Sequence, residues 1–479
     1  MTNATCYDEW REAAIAHDKK AGLDRWKNTD KSRLFDHHSI RRRMGRLRRL
    51  RAAGDNAGLL FALNEGIHGN MDGMGNPALY AKALFGTKQL IVDYIDEIAS
   101  ALEHLADREV DDIDAEAKLD FFHRAQHCFG RSALMFSGAG SLLFFHLGVA
   151  KSLSERELLP RVLSGSSGGA FVSGILCSHK HDELWDFLQP EILAYDADQE
   201  TEGVFSLLSP LKLSIASVDE VHEMVERLIP DLTFQQAFER TDRHLNVPIA
   251  PVETHQSSRL LNAITSPNVC IREAILASCA VPGVYPPVSL AAINDKGERQ
   301  TYLPSRRWVD GSVSEDLPAK RLARLYGVNH FIVSQANPHI LPFTANVKRP
   351  RSLLSNITRA SRRTAREWIN VSANAMSGPL SWSPALNRVT NIALSIINQD
   401  YIGDITIVPS TKFVNPMKVL AHRSVEEIEK LIAMGERSTW PKIEKIRLQT
   451  KISRLLDRIV HDYETHECKP IEHIAKRHA

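Results

Sequence analysis

Ser167 lies in a run of five small residues, Gly-Ser-Ser-Gly-Gly, that begins at Gly165, ends at Gly169 and matches the pattern Gly-x-Ser-x-Gly. The residues around Val162 predict an apolar strand and those from Ala170 onward a helix, which is the setting that this pattern requires of a nucleophilic serine. The flanking glycines permit a turn tight enough to lift the serine oxygen over the positive end of the helix. We therefore predict a nucleophile at Ser167; a helix cap of small residues is the alternative.

Gly138, Ala139 and Gly140 form a second glycine turn, which follows the predicted strand Ala133–Phe136 and precedes a predicted helix. Backbone N–H groups in such a turn point outward and can bind the oxyanion of an acyl-transfer intermediate. A dinucleotide-binding fingerprint would need a third glycine where Leu143 stands, so the sequence argues against nucleotide binding. A plain strand-to-helix turn is the remaining alternative.

Asp310 ends a third short predicted strand, Trp308–Asp310, and is followed by Gly311 and a predicted helix. A carboxylate at a strand end can accept the proton of a serine hydroxyl. Because a free aspartate, with a pKa of about 3.9, is a poor base at neutral pH, this role requires burial that raises the pKa. Taken alone, the Asp-Gly pair is more typical of an ordinary turn.

Histidine and metal chemistry are less favoured by the sequence. A Ser-His-Asp triad would place a histidine after Asp310 in the chain, and none of the candidates lies in a recognisable loop context. The candidates are His330, His339 and His422. His123, His127 and Cys128 lie close together on one predicted helix, but no further ligands cluster nearby, so we expect neither a metal site nor a cofactor.

Length and composition indicate a folded protein of ordinary type. The chain has 479 residues, 43% of them hydrophobic and 24% charged, unlike disordered proteins. A net charge of +1 gives no overall field that would attract nucleic acid, and the six scattered cysteines indicate reduced thiols. The sequence after Met1 does not resemble a signal peptide, and no apolar stretch approaches the roughly 20 residues of a membrane-spanning helix. We expect a cytoplasmic protein.

The apolar pattern divides the chain into three predicted regions. Residues 1–115 show helical spacing and predict an all-helical N-terminal domain. Residues 120–345 alternate short apolar runs with longer helical runs, which predicts an α/β catalytic domain. Residues 346–479 are predicted to be mostly helical and to contain the last strand, 404–408. The other predicted strands are Ala133–Phe136, Arg161–Leu163, Val247–Val252, Trp308–Asp310 and His330–Gln335, and the predicted α/β helices are Ser141–Leu153, Gly169–Cys177, Cys270–Ser278 and Leu317–Tyr326.

Three segments carry concentrated charge. Residues 31–51 are strongly basic and residues 93–116 strongly acidic, so the two segments are candidates to face each other. Residues 348–368 would place arginines on one face of a helix and apolar residues on another. Such a helix is typical of proteins that bind lipid interfaces, although a helix that covers a core has the same pattern.

Together, the three turns resemble the catalytic parts of the patatin-like family of lipid acyl hydrolases, which use a Ser-Asp dyad. Longer segments look like the triacylglycerol-lipase branch of that family in particular. They are residues 163–170, 268–283, 310–318, 328–342 and 399–409, and the N-terminal helical unit between Tyr7 and Ile95. The resemblance covers residues 7–409.

This resemblance implies a patatin-like sheet sandwiched by helices, with the active site at the carboxyl ends of the strands. It makes Ser167 the acyl nucleophile and Asp310 the proton acceptor, and it implies that the amides of Ala139 and Gly140 bind the oxyanion. The oxyanion turn departs from the usual family pattern, Gly-x-Gly-x-x-Gly with a basic residue before the last glycine. Leucines occupy both of those places, at residues 142–143.

The expected function is hydrolysis of fatty acyl esters through an acyl-serine intermediate, with triacylglycerol as the substrate that the family branch implies. Phospholipase or lysophospholipase activity and acyl transfer are the chemical alternatives, because pocket shape decides the head group. A lipid-surface scaffold with weak catalysis is the alternative from another class. The expected partner is lipid at a membrane or droplet surface, without nucleic acid.

Overall fold

The computed structural model describes residues 4–67, 70–107, 110, 112–194, 217–253, 257–282, 284–337, 403–409 and 423–467. The chain forms two compact units. The helical unit combines residues 1–132 with residues 440–479, and the α/β unit comprises residues 133–439. The predicted interfacial helix at residues 348–368 lies outside the described residues.

Short polar residues start several helices of the helical unit. The side chains of Asp36, Asp55, Asn76 and Asp114 each accept a hydrogen bond from a backbone amide in the first turn of the helix that follows. They satisfy amides that would otherwise lack a partner. The helices are α1 (Tyr7–Lys20), α2 (Leu23–Asn28), α3 (His37–Ala52), α4 (Asn56–Asn64), α5 (Pro77–Ala81), α6 (Gln89–Ala106) and α7 (Ala115–Phe129).

The core of the helical unit forms around the apolar face of α6. The residues that show helical spacing in the sequence, including Ile91, Tyr94 and Ile98, are buried there. Leu448 and Leu456, near the end of the chain, belong to the same core. The C-terminal region is therefore divided between the two units, whereas the sequence analysis treats it as one region. Spacing along a helix shows which face is apolar but not which partner covers it.

The basic and acidic segments of the helical unit meet, as the sequence suggests. Glu97 of α6 is buried, and its carboxylate oxygens accept from Arg48 at 2.9 Å and from Arg51 at 2.8 Å. Two guanidinium groups therefore compensate one buried negative charge.

A seven-stranded sheet forms the centre of the α/β unit in the described residues. Its strands are β1 (Arg131–Phe136), β2 (Val162–Gly165), β3 (His244–Pro251), β4 (Arg259–Leu261), β7 (Trp308–Asp310), β8 (Val328–Ser334) and β9 (Ile405–Ile407), while β5 (Leu290–Ile293) and β6 (Arg299–Tyr302) form a separate antiparallel pair. The order of the strands in the sheet is β4-β3-β2-β1-β8-β9, with β7 paired to β3. The pairs β1–β2, β2–β3 and β8–β9 are parallel, and β3 is antiparallel to β4 and β7.

Two buried helices follow the first two strands directly. α8 (Leu143–Ser154) is buried except at Lys151, and α9 (Gly168–Ser178) is buried along its whole length, which explains why both read as nearly continuous apolar runs. Gly148 of α8 permits the last helix to approach, because a Cβ there would lie 2.0 Å from the carbonyl oxygen of Ile432. The helices of this unit are α8 (Leu143–Ser154), α9 (Gly168–Ser178), α10 (His181–Phe187), α11 (Pro190–Leu193), α12 (Val218–Leu228), α13 (Phe234–Thr241), α14 (Ile271–Cys279), α15 (Ser312–Glu315), α16 (Ala319–Tyr326) and the first part of α17 (Val425–Glu467).

The predicted α/β class is confirmed, and each of the six predicted strands has a counterpart in the sheet. The sequence analysis missed β4 and the β5–β6 pair. β6 is exposed and polar along most of its length, so it carries no apolar alternation that would reveal a strand. None of the helices in the described part of the chain has a run long and apolar enough to cross a bilayer.

Candidate active site

Ser167 occupies a strained turn between β2 and α9. Its backbone angles, φ 52° and ψ −124°, lie in a region that residues with side chains rarely adopt. Glycine is required on both sides. A Cβ at Gly165 would lie 2.0 Å from the carbonyl oxygen of Gly169, and a Cβ at Gly169 would lie 2.5 Å from that of Phe136. The tight turn predicted from the sequence is therefore present.

Ser278, at the end of α14, holds this turn from the other side. The amide of Ser167 donates to the Oγ of Ser278 at 3.0 Å, and that hydroxyl donates to the carbonyl oxygen of Pro248 at 3.1 Å. Ser278 is fully buried, so the two bonds anchor the strained turn to β3. No motif at Ser278 indicates this role in the sequence.

Asp310, at the end of β7, lies within hydrogen-bonding reach of Ser167. Its side chain is buried and accepts from the Ser312 amide at 2.7 Å. Burial raises the pKa of Asp310 to about 6, against the lowering effect of Ser312 and of the nearby Ser167 side chain. Gly311 is required next to it, because a Cβ there would lie 2.4 Å from the Pro248 carbonyl. The two residues predicted to react are therefore close enough for the Ser167 hydroxyl to influence the Asp310 carboxyl.

The Gly138–Gly140 turn packs against the Ser167 turn. A Cβ at Gly138 would lie 3.9 Å from that of Ser167, and a Cβ at Gly168 would lie 3.3 Å from the amide nitrogen of Gly140. The Gly138 amide donates to the Oδ1 of Asp316 at 2.8 Å. Of the three residues predicted to bind an oxyanion, Gly138 thus has its amide engaged elsewhere, which leaves the amides of Ala139 and Gly140 as the candidates.

Asp316 is a buried carboxyl that the sequence analysis did not single out. Burial raises its pKa to about 7, and the nearby Asp310 adds to the shift. Its main-chain carbonyl accepts from the Ser166 hydroxyl at 2.8 Å. A sequence signal existed, because the residue lies six positions after Asp310, but a single acidic residue at this spacing is common in any chain.

His146 of α8 lies behind the site and is buried completely. Its Nε2 bonds to the carbonyl oxygen of Ser137 at 3.0 Å and its Nδ1 to the Oγ of Ser334 at 2.7 Å. Since a carbonyl can only accept, Nε2 carries the proton. Burial lowers the pKa of His146 to about 3, so the ring is neutral and joins the ends of β1 and β8. It acts as a structural histidine.

An apolar cavity of about 140 Å³ opens in front of Ser167. Among the described residues that line it, the charged ones are Glu220 and Arg423. Arg423 donates through Nε to the Oγ of Ser141, next to the Gly138–Gly140 turn, at 3.1 Å. The apolar lining includes Leu143, Phe144, Phe171, Val221, Met224 and Val281.

A second cavity, of about 450 Å³, shares Cys279 and Tyr285 with the first. Two arginines line it, and both have partners. Arg272 donates to the carbonyl oxygens of Glu226 and Ile229, and Arg299 pairs with Asp231 and Glu273. The second cavity therefore combines ample volume with arginines whose donors are engaged by other groups of the protein.

The other predicted candidates do not join this site. His330 lies on β8, four residues before the strand's carboxyl end and so about 13 Å from it. His339 and His422 lie outside the described residues. Within the described chain, no group of three His, Cys, Asp or Glu residues could hold a metal ion, and His123 instead faces Glu464 at 3.7 Å.

Comparison with protein families gives two matches. Residues 1–127 match a domain of unknown function, DUF3336, and residues 134–323 match the family described as patatin-like phospholipase. A crystal structure of VipD from Legionella pneumophila covers 64% of this chain and 67% of its own, with a TM-score of 0.29 and 13% identity.

Curated relatives match almost the whole chain. Triacylglycerol lipase SDP1L of Arabidopsis thaliana is 32% identical, with 96% of this chain and 58% of the relative covered. Triacylglycerol lipase 4 of Saccharomyces cerevisiae is 33% identical, with 96% and 52% covered. Triacylglycerol lipase ptl2 of Schizosaccharomyces pombe is 30% identical, with 96% and 74% covered. The chain thus spans little more than half the length of the first two relatives.

Proposed function

Because the chain belongs to the patatin-like phospholipase family, we propose that it is a serine acyl hydrolase that cleaves the carboxylic ester bonds of lipids. The observation that carries this proposal is the proximity of Ser167, in its strained turn, to the buried carboxyl of Asp310, whose pKa the Ser167 side chain influences. A nucleophile beside a base, at the wall of an apolar cavity, supplies the parts that acyl transfer requires.

The proposed first step is acylation of Ser167. The serine oxygen attacks the ester carbonyl carbon while Asp310 accepts the hydroxyl proton. The negative charge on the carbonyl oxygen is stabilised by the amides of Ala139 and Gly140. The carbon–oxygen bond to the alcohol then breaks, and the alcohol leaves with the proton from Asp310.

The proposed second step returns the enzyme to its starting state. A water molecule loses its proton to Asp310 and attacks the acyl-serine carbonyl. The bond to the serine oxygen breaks, Ser167 recovers the proton, and the fatty acid is released. The raised pKa of Asp310, about 6, supports this scheme because a carboxyl titrating near neutrality can both accept and return a proton.

Triacylglycerol is the proposed substrate. The names of the relatives support it, as does the apolar lining of the catalytic cavity. The neighbouring cavity supports it further, because its arginines are already paired and an uncharged glyceride needs no free cation. Phospholipid is the second candidate, because Arg423, which also faces Glu427 at 3.6 Å, places a cation in the lining of the catalytic cavity. Acyl transfer to another lipid would use the same first step.

A water-insoluble substrate would require the protein to visit a lipid surface. We propose peripheral association with membranes or droplets, in keeping with the basic amphipathic pattern of residues 348–368.

The test is fatty-acid release by purified protein from triolein emulsion and from phosphatidylcholine vesicles, measured side by side. Ser167→Ala and Asp310→Asn should each lower release by about 10³-fold or more. Asp242→Asn, an exposed aspartate paired with Arg161, is the matched control and should behave as the wild type.

Each outcome decides one part of the proposal. Faster release from triolein supports the triacylglycerol assignment, and faster release from vesicles replaces it with phospholipid. Folded wild-type protein that releases nothing from either substrate would contradict the hydrolase proposal and favour a lipid-surface scaffold.

A further inference from the structure

Asp316 contacts both glycine turns of the site with different atoms. Its carboxylate Oδ1 accepts from the amide of Gly138 at 2.8 Å, and its main-chain carbonyl accepts from the hydroxyl of Ser166 at 2.8 Å. Asp316 lies only six positions after Asp310, and the short helix α15 lies between them. Asp316 therefore connects the Gly138–Gly140 turn, the Ser167 turn and the segment that carries the proposed base, Asp310.

The surroundings make these contacts hard to replace. Asp316 is 1% exposed and Ser166 is 0% exposed, so water cannot readily substitute for a lost partner. The Gly138 amide is the first amide of the Gly138–Gly140 turn. The two candidate oxyanion donors, the amides of Ala139 and Gly140, follow it directly. A rotation of the Gly138 peptide would therefore change the direction of the next amides along the chain.

We propose that Asp316 is a positioning residue, which fixes the Gly138–Gly140 turn relative to Ser167 so that the amides of Ala139 and Gly140 face the ester carbonyl during attack. This inference rests on the proposed hydrolase function. Asp316 has no part in the chemical steps. Its effect is on the stabilisation of the oxyanion, which forms only in the transition state and the intermediate.

The role depends on an acceptor oxygen and not on the charge of the side chain. Asn at this position keeps a carbonyl oxygen of the same reach, so Asp316→Asn preserves the bond from Gly138. Leu has a similar volume but no acceptor, so Asp316→Leu leaves the buried Gly138 amide without its partner.

The experiment measures kcat and KM for p-nitrophenyl butyrate, together with the labelling rate by a fluorophosphonate, whose phosphoryl oxygen takes the place of the ester oxyanion when serine attacks and fluoride leaves. Asp316→Leu should lower kcat and the labelling rate by about 10²-fold or more, with KM within about threefold of the wild type. Asp316→Asn should restore both rates to within about fivefold. Glu315→Leu, a change at the neighbouring residue, whose side chain pairs with Arg321, should match the wild type.

Ser166→Ala gives a second test that leaves the carboxylate in place. It removes the hydroxyl that bonds to the main-chain carbonyl of Asp316 and that also lowers the pKa of the Asp316 carboxyl, and it should lower kcat by about fivefold at unchanged KM. If Asp316→Leu does not fold, Ser166→Ala tests the proposal in its place. A wild-type kcat in Ser166→Ala would then overturn the proposal.

Other results would overturn it as well. Wild-type kcat in folded Asp316→Leu would show that the acceptor is dispensable, and Asp316→Asn as impaired as Asp316→Leu would show that the acceptor is not what matters. In both cases an active wild type would leave the hydrolase function standing. A wild type that neither hydrolyses the ester nor reacts with the probe would instead contradict the hydrolase function itself.

Discussion

Two buried aspartates, one in each unit, have opposite electrostatic surroundings. Burial opposes the charge of Asp18 in the helical unit, but the amides of Leu84 and Phe85 and the Lys27 ammonium, at 2.9–3.1 Å, outweigh it. The pKa of Asp18 therefore lies below its ordinary value. For Asp310, burial outweighs the hydrogen bonds, and the pKa rises to about 6.

The comparison shows how burial is used in the two regions. In the helical unit, strong donors compensate the buried charge of Asp18 and lower its pKa, which suits a group that stays ionised and stabilises the fold. In the site, Asp310 and Asp316 are buried with raised pKa values, which suits groups that exchange protons or accept hydrogen bonds near neutrality. Burial alone therefore does not distinguish these carboxyls from Asp18; the direction of the pKa shift does.

The largest effect is expected for Asp310→Asn. Loss of the base should lower kcat/KM for ester hydrolysis by about 10³- to 10⁴-fold. The free energy of unfolding should stay the same or rise, because a neutral amide replaces a buried carboxyl that is costly to ionise. Steady-state kinetics and urea denaturation of the same preparation measure both quantities. A variant that loses stability in proportion to activity would show that Asp310 is structural.

A smaller effect, on stability and not on activity, is expected for Asp18→Asn. Lys27 and one of the two backbone amides lose a charged acceptor, so the free energy of unfolding should fall by about 3 kcal/mol. The kcat of the folded protein should not change. Urea denaturation gives the first quantity and kinetics in the absence of denaturant the second. An unchanged urea midpoint would show that Asp18 does not stabilise the fold, which contradicts the contrast drawn with Asp310.

The smallest effect is expected when the pH is lowered and kcat/KM for ester hydrolysis is measured. Protonated Asp310 cannot accept the serine proton, so kcat/KM should fall about tenfold per pH unit as the pH drops below about 6. Asp316 is close enough for the two carboxyls to titrate as a pair, so the midpoint belongs to both. A rate that stays constant down to pH 4.5 would contradict a base with a raised pKa.

The contribution of Asp18 should not follow that profile. Its pKa is lowered on folding, so its stabilisation is present above the unfolded value of about 3.9 and is lost only as the pH falls through the lower folded value. Between pH 7 and pH 5, activity should therefore decline while this contribution to stability remains.

The sequence was sufficient to predict the parts of the site that depend on backbone sterics. The turn at Ser167 requires glycine at positions 165 and 169, where a Cβ would lie 2.0–2.5 Å from main-chain oxygens, so the composition of the turn reports its geometry. Gly311 likewise packs against the backbone of β3, although Asp310 itself is assigned through the family resemblance and not from its Asp-Gly pair. Such constraints are local and remain visible in a short motif.

The supporting contacts could not be predicted, because they join residues far apart in the chain. Ser278 holds the Ser167 amide across 111 positions, and Asp316 holds that of Gly138 across 178. The same limit applies to the core of the helical unit, where residues after 440 complete a surface formed by α6. A lone serine, aspartate or apolar helix face does not specify its partner.

Reaction of the wild-type protein with a fluorophosphonate, followed by mass spectrometry of the labelled peptide, tests the central claim most directly. We expect one adduct, on Ser167, formed far more slowly in Asp310→Asn and at the wild-type rate in Asp18→Asn. An adduct on another serine, or none on folded wild-type protein, would contradict the assignment of Ser167 and Asp310 as the reacting pair.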